Sequence, residues 1–466
     1  MMESSHQKKY NTFRQTYPEF VYESYQYDVR PDGLHISFSF VVLDKSGKHP
    51  VRFSPSAVVP TRRFLSFDQQ EALLDCLVFH IGMAELVSYW KCFCPPTVRI
   101  LCGSLDDAQV AFWKKLYFNG LGEFFYTNGI RTTLDDFMTI ISEGSAHAFQ
   151  PLSDNLVDNA YLVPVGGGKD SVVTLELLRR SGASVRPLIM NPRGATTSCA
   201  AVAGFGEEDT LVIRRSLDPV MLRLNEQGCL NGHTPFSAML AFYTLLASQL
   251  SGVHAVALSN EGSANESTVV GTDVNHQYSK SVEFEDDFRL YVARYMGGRY
   301  RYFSMLRPLS ELQIAMLFSR EKPYHEVFRS CNVGSKQDVW CGHCAKCLFA
   351  YIILSPFISP EQLTHIFGKN MLDDEFMRPV LMQLAGGAET KPFECVGTID
   401  EVHAALSMTA DRWYASGQRP LPALLHDWQY AAVSISLETL SDGHNLTARE
   451  LSMLNDALQS ACRIEK

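Results

Sequence analysis

Val163–Leu178 reads VPVGGGKDSVVTLELL. A short apolar strand, Tyr161–Val165, runs into Gly166, Gly167, Gly168, Lys169, Asp170 and Ser171, and a helix over Ser171–Arg180 follows, stopped by Gly182. Three glycines leave the backbone free to wrap closely round an anion. The N–H groups of the loop and of the helix start supply donors, and the helix dipole favours negative charge there. The stretch therefore reads as a phosphate cradle. It is not a Walker A loop, because the spacing GxxxxGK[ST] is absent and Asp170 follows the lysine, and it is not the dinucleotide pattern GxGxxG.

The same rhythm continues outward from the loop. Val185–Met190 reads as a second buried strand, Leu211–Ile213 as a third, and Val253–Leu258 as a fourth. Before the fourth, Phe236, Met239, Leu240, Tyr243, Leu246, Ala247 and Leu250 recur at helical spacing, the stripe of a core-packed helix. Strands alternating with helices predict a parallel sheet covered by helices, with ligands at the carboxyl ends of the strands. Upstream, residues 22–42 hold two alternating segments joined at Pro31, Asp32 and Gly33, a hairpin signal, and apolar-periodic stretches over 67–93 and 105–118 predict helices. Three segments follow from this pattern: an α+β N-terminal domain over 1–150, the nucleotide-type α/β domain over 151–356, and a mostly helical C-terminal segment over 357–466.

The chain has 466 residues, of which 46% are hydrophobic and 20% charged, so it can bury a large core. Its 51 acidic against 41 basic residues give a net charge of −10, which argues against sequence-independent nucleic-acid binding and leaves room for a local basic pocket. The start, MMESSHQKKY, has no apolar segment after its charges, and no run suggests the roughly 18 apolar residues of a membrane span. A cytoplasmic protein with no membrane partner is the expectation. There, twelve cysteines read as reduced thiols rather than disulfides.

Four of those cysteines crowd into one stretch: Cys331, Cys341, Cys344 and Cys347. Two-residue gaps let sulfurs converge on one tetrahedral ion, and a structural Zn²⁺ is the leading reading. An iron–sulfur cluster and four unligated core thiols are the alternatives. His343 lies inside the motif but is superfluous as a ligand once four thiolates are present.

The glycine loop resembles the PP-loop of the ATP pyrophosphatases, whose pattern is Ser-Gly-Gly-x-Asp-Ser. That resemblance implies a PP-loop (adenine nucleotide alpha hydrolase-like) parallel sheet core and cleavage of ATP between its α and β phosphates. It also implies that Gly166, Gly167, Gly168, Lys169 and Ser171 lie around the phosphates, Asp170 organises Mg²⁺, and Asn191 lies near the adenosine. Gly166 stands where the usual first serine would be. The cysteine stretch is similar to the zinc motif of the PP-loop enzyme that makes the deazaguanine nitrile precursor of queuosine.

Six further segments are similar to one family: HIGMAELVSYWK (80–91), YFNGLGEFFYTNGI (117–130), NGHTPFSAML (231–240), SNEGSANES (259–267), NHQYSKS (275–281) and KPFECVGT (391–398). It is the UDP-N-acetylmuramoyl-L-alanyl-L-glutamate epimerase family, the MurL type, which works in peptidoglycan synthesis. The resemblance implies ATP- and Mg²⁺-dependent inversion of the terminal glutamate of a UDP-muramoyl dipeptide, a small-molecule substrate. Candidates for proton transfer are Glu261, as a base or a Mg²⁺ ligand, His233 on the opposite face, His276, and Lys280 as an electrostatic partner. Asn265, Tyr278, Arg299 and Arg301 are candidates for holding the substrate, with Arg307 beside them for its diphosphate. Lys169 and these arginines are expected to line one pocket. A PP-loop ligase or nucleoside-modifying enzyme, and a nucleotide-binding module without turnover, stay open as alternatives.

Overall fold

The computed structural model describes residues 4–60, 71–147, 159–269, 271–296, 300–417, 420–426, 428, 433 and 435–465. Its strands are β1 (Glu19–Arg30), β2 (Gly33–Leu43), β3 (Val51–Phe53), β4 (Ser56–Val59), β5 (Thr97–Ile100), β6 (Thr139–Ser142), β7 (Ala160–Pro164), β8 (Ser184–Met190), β9 (Leu211–Ser216), β10 (Ala255–Leu258) and β11 (Arg301–Ser304). The chain packs as two compact units, each discontinuous in sequence. The first is Met1–Asp158 with Leu211–Ala255 and Val274–Arg301, and the second is Asn159–Thr210 with Val256–Asp273 and Tyr302–Lys466. Packing thus groups helix Phe236–Ser251 with the N-terminal segment and the C-terminal helices with the glycine loop, whereas the sequence pattern reads as three consecutive stretches.

In the first unit the predicted hairpin forms. β1 and β2 pair antiparallel from Glu19↔Leu43 to Arg30↔Gly33, and Gly33 closes the turn at φ +153°, where a Cβ would sit 2.5 Å from the Val59 carbonyl oxygen. The strand order is β9-β4-β2-β1-β5-β6, with β3 on β2. β1 and β5 are parallel, as are β5 and β6, while β4 pairs antiparallel with both β2 and β9. The segment beginning at Leu211, expected as the third strand after the glycine loop, is a strand, Leu211–Ser216, and it pairs antiparallel with β4.

Helix Glu71–Trp90 runs through the unit's core. Its stretch Leu73–Trp90 is long and apolar enough to cross a membrane by length and composition, contrary to the expectation that no run reaches that size, and 94% of it is buried inside the protein. That burial is the signature of a core helix. Several of its buried polar residues are paired. Glu85 takes two hydrogen bonds from Arg215, at 2.5 and 2.6 Å, and one from the Tyr243 hydroxyl at 3.1 Å. His80 donates from Nδ1 to the Cys76 carbonyl at 2.7 Å, which leaves Nε2 to accept from the Tyr291 hydroxyl at 2.8 Å. Burial pushes the His80 imidazole down to about 4, so it is neutral. The helix ends at Trp90, and Lys91 follows it directly.

In the second unit the strand order is β11-β10-β7-β8, and β7 and β8 are parallel with Ala160↔Ser184 to Pro164↔Leu188 in register. All four residues of β10 are buried, as expected for a strand covered on both faces. Helices Lys169–Arg180, Glu311–Phe318 and Ala345–Leu354 supply much of this unit's core, the last buried from Cys347 to Leu354.

Candidate functional site

The glycine loop sits between β7 and helix Lys169–Arg180, and Gly168 is the N-cap of that helix. Gly167 cannot be replaced without strain. Its φ is +81°, and a Cβ would lie 2.8 Å from the Ala195 carbonyl carbon at the start of helix Gly194–Val202. Gly166 has open space where its Cβ would be, so the serine usual in PP-loops would fit there. The Gly167 carbonyl accepts from the Arg329 N–H at 2.8 Å, and the Ser171 hydroxyl donates to the Gly168 carbonyl at 2.9 Å. Asn191 ends β8 with φ +53°, a rare conformation for a non-glycine residue, and is exposed at the carboxyl end of that strand.

Lys169 is buried. Its side chain is turned inward and bridges Asp170 and Glu311. Burial pushes its ammonium down, and the two carboxylates more than reverse this, so it stays charged. Asp170, one-third exposed, is the acidic group of this set nearest solvent. Glu261 and Glu401 act on Glu311 through their charge, and burial drives the Glu311 carboxyl well above its usual range. The Glu311 N–H donates to Glu401 at 2.7 Å, and Glu261 accepts from the Ser263 hydroxyl at 3.2 Å. Arg307 is not a surface diphosphate clamp. It is buried, and its Nη1 donates to the Glu261 carbonyl at 2.6 Å, fixing the backbone that presents this candidate base. Oxygen donors of this kind suit a hard cation such as Mg²⁺, which would relieve the repulsion among them. Sequence reasoning missed Glu311, which no motif marks, and Glu401, whose Thr398-x-x-Glu401 pattern signals only a helix start.

The four cysteines do converge. Their sulfurs are separated by 3.8 Å (Cys331–Cys344), 3.6 Å (Cys341–Cys347) and 3.5 Å (Cys344–Cys347). Sulfurs about 2.3 Å from one tetrahedral ion stand roughly 3.8 Å apart. The separations match that edge and are far too long for a disulfide. The Cys344 thiol is pushed down to about 5, chiefly by its hydrogen bond with Cys347, so the group already favours a thiolate. His343 is exposed and bonds the Cys341 carbonyl at 2.8 Å, outside the sulfur cluster, as expected. The stretch between the cysteines braces the loop and helix start after β8: Asp338 accepts from the Ala195 N–H at 2.7 Å, and Arg193 donates to Ser335 at 2.6 Å. Asn332 also donates to Glu394 at 2.9 Å, and Lys391 bridges Glu266 and the Gly397 carbonyl, which gives both residues of KPFECVGT a structural role.

In the first unit the structure brings two predicted residues together with one that was missed. Glu123 Oε2 lies 2.5 Å from His276 Nδ1 and 3.5 Å from His233 Nδ1. The two imidazole centroids are 4.4 Å apart. Burial, then the charges of His276, Lys91 and Lys280, push His233 down to about 3. Lys91, itself pushed down to about 8 by burial, donates to the Gly232 carbonyl. It also borders a cavity of about 260 Å³ lined by Arg215, Asn225, Asn231 and Met239. Glu123 stands in the quoted segment 117–130, yet nothing in its spacing marks it.

Of the remaining candidates, Asn265 is exposed at the end of the short turn Gly262–Asn265, and Lys280 is half-buried. Tyr278 is buried, and burial pushes its hydroxyl up to about 12, so it serves as a neutral donor. Arg301 opens β11 and is half-buried, and Arg299 lies outside the described residues.

The sequence pattern of the MurL N-terminal domain matches residues 11–305, which include the glycine loop, and that of the MurL C-terminal domain matches residues 327–434, which include the four cysteines. Three curated relatives carry the name UDP-N-acetyl-alpha-D-muramoyl-L-alanyl-L-glutamate epimerase. The one from Micromonospora sp. is 34% identical over 84% of this chain and 88% of its own length. That from Salinispora tropica is 33% identical over 87% of each, and that from Xanthomonas oryzae pv. oryzae is 38% identical over 70% of this chain and 72% of its own. Two family patterns on the elements that carry the loop and the cysteines, with relatives of this identity along most of both chains, place this chain in the MurL epimerase family.

Proposed function

We propose that the chain inverts the terminal L-glutamate of UDP-N-acetylmuramoyl-L-alanyl-L-glutamate to D-glutamate, using ATP and Mg²⁺ and releasing AMP and diphosphate, as a cytoplasmic step of peptidoglycan synthesis. The observation that carries this reading is the shared name of relatives 33–38% identical to it over most of their length. A chemical argument joins that name to the glycine loop. The α-hydrogen of a carboxylate is barely acidic, since its removal puts a second negative charge beside the first. An acyl-adenylate has no such charge and turns the carbonyl into an electron sink. Each tenfold in rate requires about 1.4 kcal/mol from the barrier, so this activation is worth many powers of ten.

In this reading Gly166, Gly167, Gly168 and Ser171 hold the phosphates, and Lys169 keeps Asp170 and Glu311 oriented. Mg²⁺, at Asp170, would neutralise phosphate charge. Glu261 is the candidate base in the unit that carries the loop, with Asn265 near it in sequence for binding the substrate. In the other unit, Lys280 offers a cation for an enolate-like state, Tyr278 and Arg301 polar contacts, and the Nδ1 atoms of His233 and His276 face Glu123, so any proton either ring carries to substrate goes by Nε2. The four cysteines hold Zn²⁺ in a closed, structural site.

The test is a reaction in D₂O with ATP, Mg²⁺ and the UDP-muramoyl dipeptide. Diphosphate and an α-deuterated D-glutamyl product are expected together. Diphosphate without deuterium at the α-carbon would exclude epimerisation, and the absence of both would exclude the catalytic reading.

A further inference from the structure

We infer that Glu123, His233 and His276 form a second metal centre, which takes a divalent ion of the zinc class and leaves a coordination position open. Glu123 comes from the first turn of helix Gly122–Thr127, His233 from the loop before helix Phe236–Ser251, and His276 from the loop before the turn Tyr278–Lys280. One ligand atom from each lies within 4.8 Å of the other two. Ligands bound at about 2.0–2.2 Å to one tetrahedral ion stand roughly 3.4 Å apart. The 3.5 Å from Glu123 Oε2 to His233 Nδ1 matches that edge and is too long for a good hydrogen bond. The 2.5 Å to His276 Nδ1 opens by about 1 Å when an ion replaces the shared proton.

The three loops are built to hold these positions. Lys91 grips the Gly232 carbonyl, and Asn128 Nδ2 ties the Asn231 carbonyl at 3.1 Å to the Phe124 carbonyl at 2.8 Å, so the loop that carries His233 is fastened to the helix that carries Glu123. Pro235 packs so close to Gly120 that a Cβ there would lie 2.6 Å from its ring. Asn275 Oδ1 accepts from the Gln277 N–H at 2.7 Å, closing the turn that presents His276. All three side chains are only 13–23% exposed.

The donor set decides the class of ion. Two imidazoles and one carboxylate are borderline ligands that suit zinc and its neighbours, and three protein ligands are the number found where the fourth position is kept for water or substrate. The ammonium groups of Lys91 and Lys280 lie close enough for their charge to be felt at His233. A dication beside them depends on the Glu123 carboxylate, and its open position favours an anion, hydroxide or a carboxylate. This is a different site from the cysteine cluster, with oxygen and nitrogen donors in place of sulfur.

Cobalt substitution separates the two sites. The full chain, stripped of metal under reducing conditions and titrated with Co²⁺, should show intense thiolate-to-cobalt charge transfer from the cysteines. A further equivalent should add weak visible bands without that charge transfer. Glu123→Gln and His233→Gln should each weaken the further equivalent by roughly 100-fold or more, beyond what changes outside the ligand shell produce. The thiolate band, kept in both variants, reports that they are folded. A wild-type chain that binds cobalt only at the thiolates, or a Glu123→Gln variant that binds both equivalents like wild type, overturns the assignment.

Discussion

The cysteine cluster and the Glu123–His233–His276 cluster are built on opposite plans. The first is local: its four sulfurs come from one stretch, Cys331–Cys347, and its geometry is that of a closed tetrahedron. The second is assembled from three segments more than a hundred residues apart at its ends, and it offers three ligand atoms where a closed tetrahedron needs four. A local cluster of four can hold a fold together, because the ion replaces packing that the stretch would otherwise lack. An assembled cluster of three can form only after the fold exists, and it is suited to binding something else.

That contrast can be broken first at the cysteines. Cys344→Ser should lower the melting temperature of the second unit by about 10 °C, what roughly 4 kcal/mol gives in a domain of this size, with loss of bound metal measured alongside. An unchanged melting temperature would make the cysteine site as dispensable as an open one. The next largest effect belongs to His80, an assembled histidine with a purely structural role. Its folded pKa of about 4 lies below the unfolded value of 6.5, so the unfolded state binds the extra proton between them. Stability should therefore fall as pH drops through 6.5 toward 4, by about 3 kcal/mol from this group alone, and His80→Gln should remove that part of the slope, leaving the part due to His233, in denaturant titrations at stepped pH.

Within the glycine loop, Gly167→Ala should cost about 1–3 kcal/mol of backbone strain and abolish diphosphate release from ATP, since the loop must shift to relieve the contact with Ala195. Glu123→Gln in the metal-free chain should lower unfolding free energy by only about 1.5 kcal/mol, the low end for one charge-assisted hydrogen bond, and so separate the assembled cluster from the cysteines by a calorimetric scan. Gly166→Ser should be the quietest change, within about 0.5 kcal/mol of wild type and still releasing diphosphate, because open space surrounds the added side chain.

The same contrast explains what could be read in advance. The loop between β7 and its helix, the hairpin at Gly33, helix Phe236–Ser251 and the cysteine site are written in neighbouring residues, and periodicity or spacing exposes each. Glu123, Lys91 and Glu311 have no such mark, because each acquires its partners across long stretches of chain, and the capping box that marks Glu401 with Thr398 says nothing of its contact with Glu311. Charge was the other source of error. Lys169 and Arg307 look like ligands for a polyanion, yet each is buried against carboxylates or carbonyls of its own unit. Sequence shows that a cation is present and not which way it turns.

One backbone hydrogen bond carries a further consequence. The Arg329 N–H, two residues before Cys331, holds the carbonyl of Gly167 at the centre of the glycine loop. The segment pinned by the cysteines and the segment that would cradle phosphate thus share a single fastening. By linkage, if a metal at one end changes the affinity for a nucleotide at the other, the nucleotide changes the metal's affinity by the same factor. Chelation would then register as weaker nucleotide binding, and saturating nucleotide as slower loss of metal.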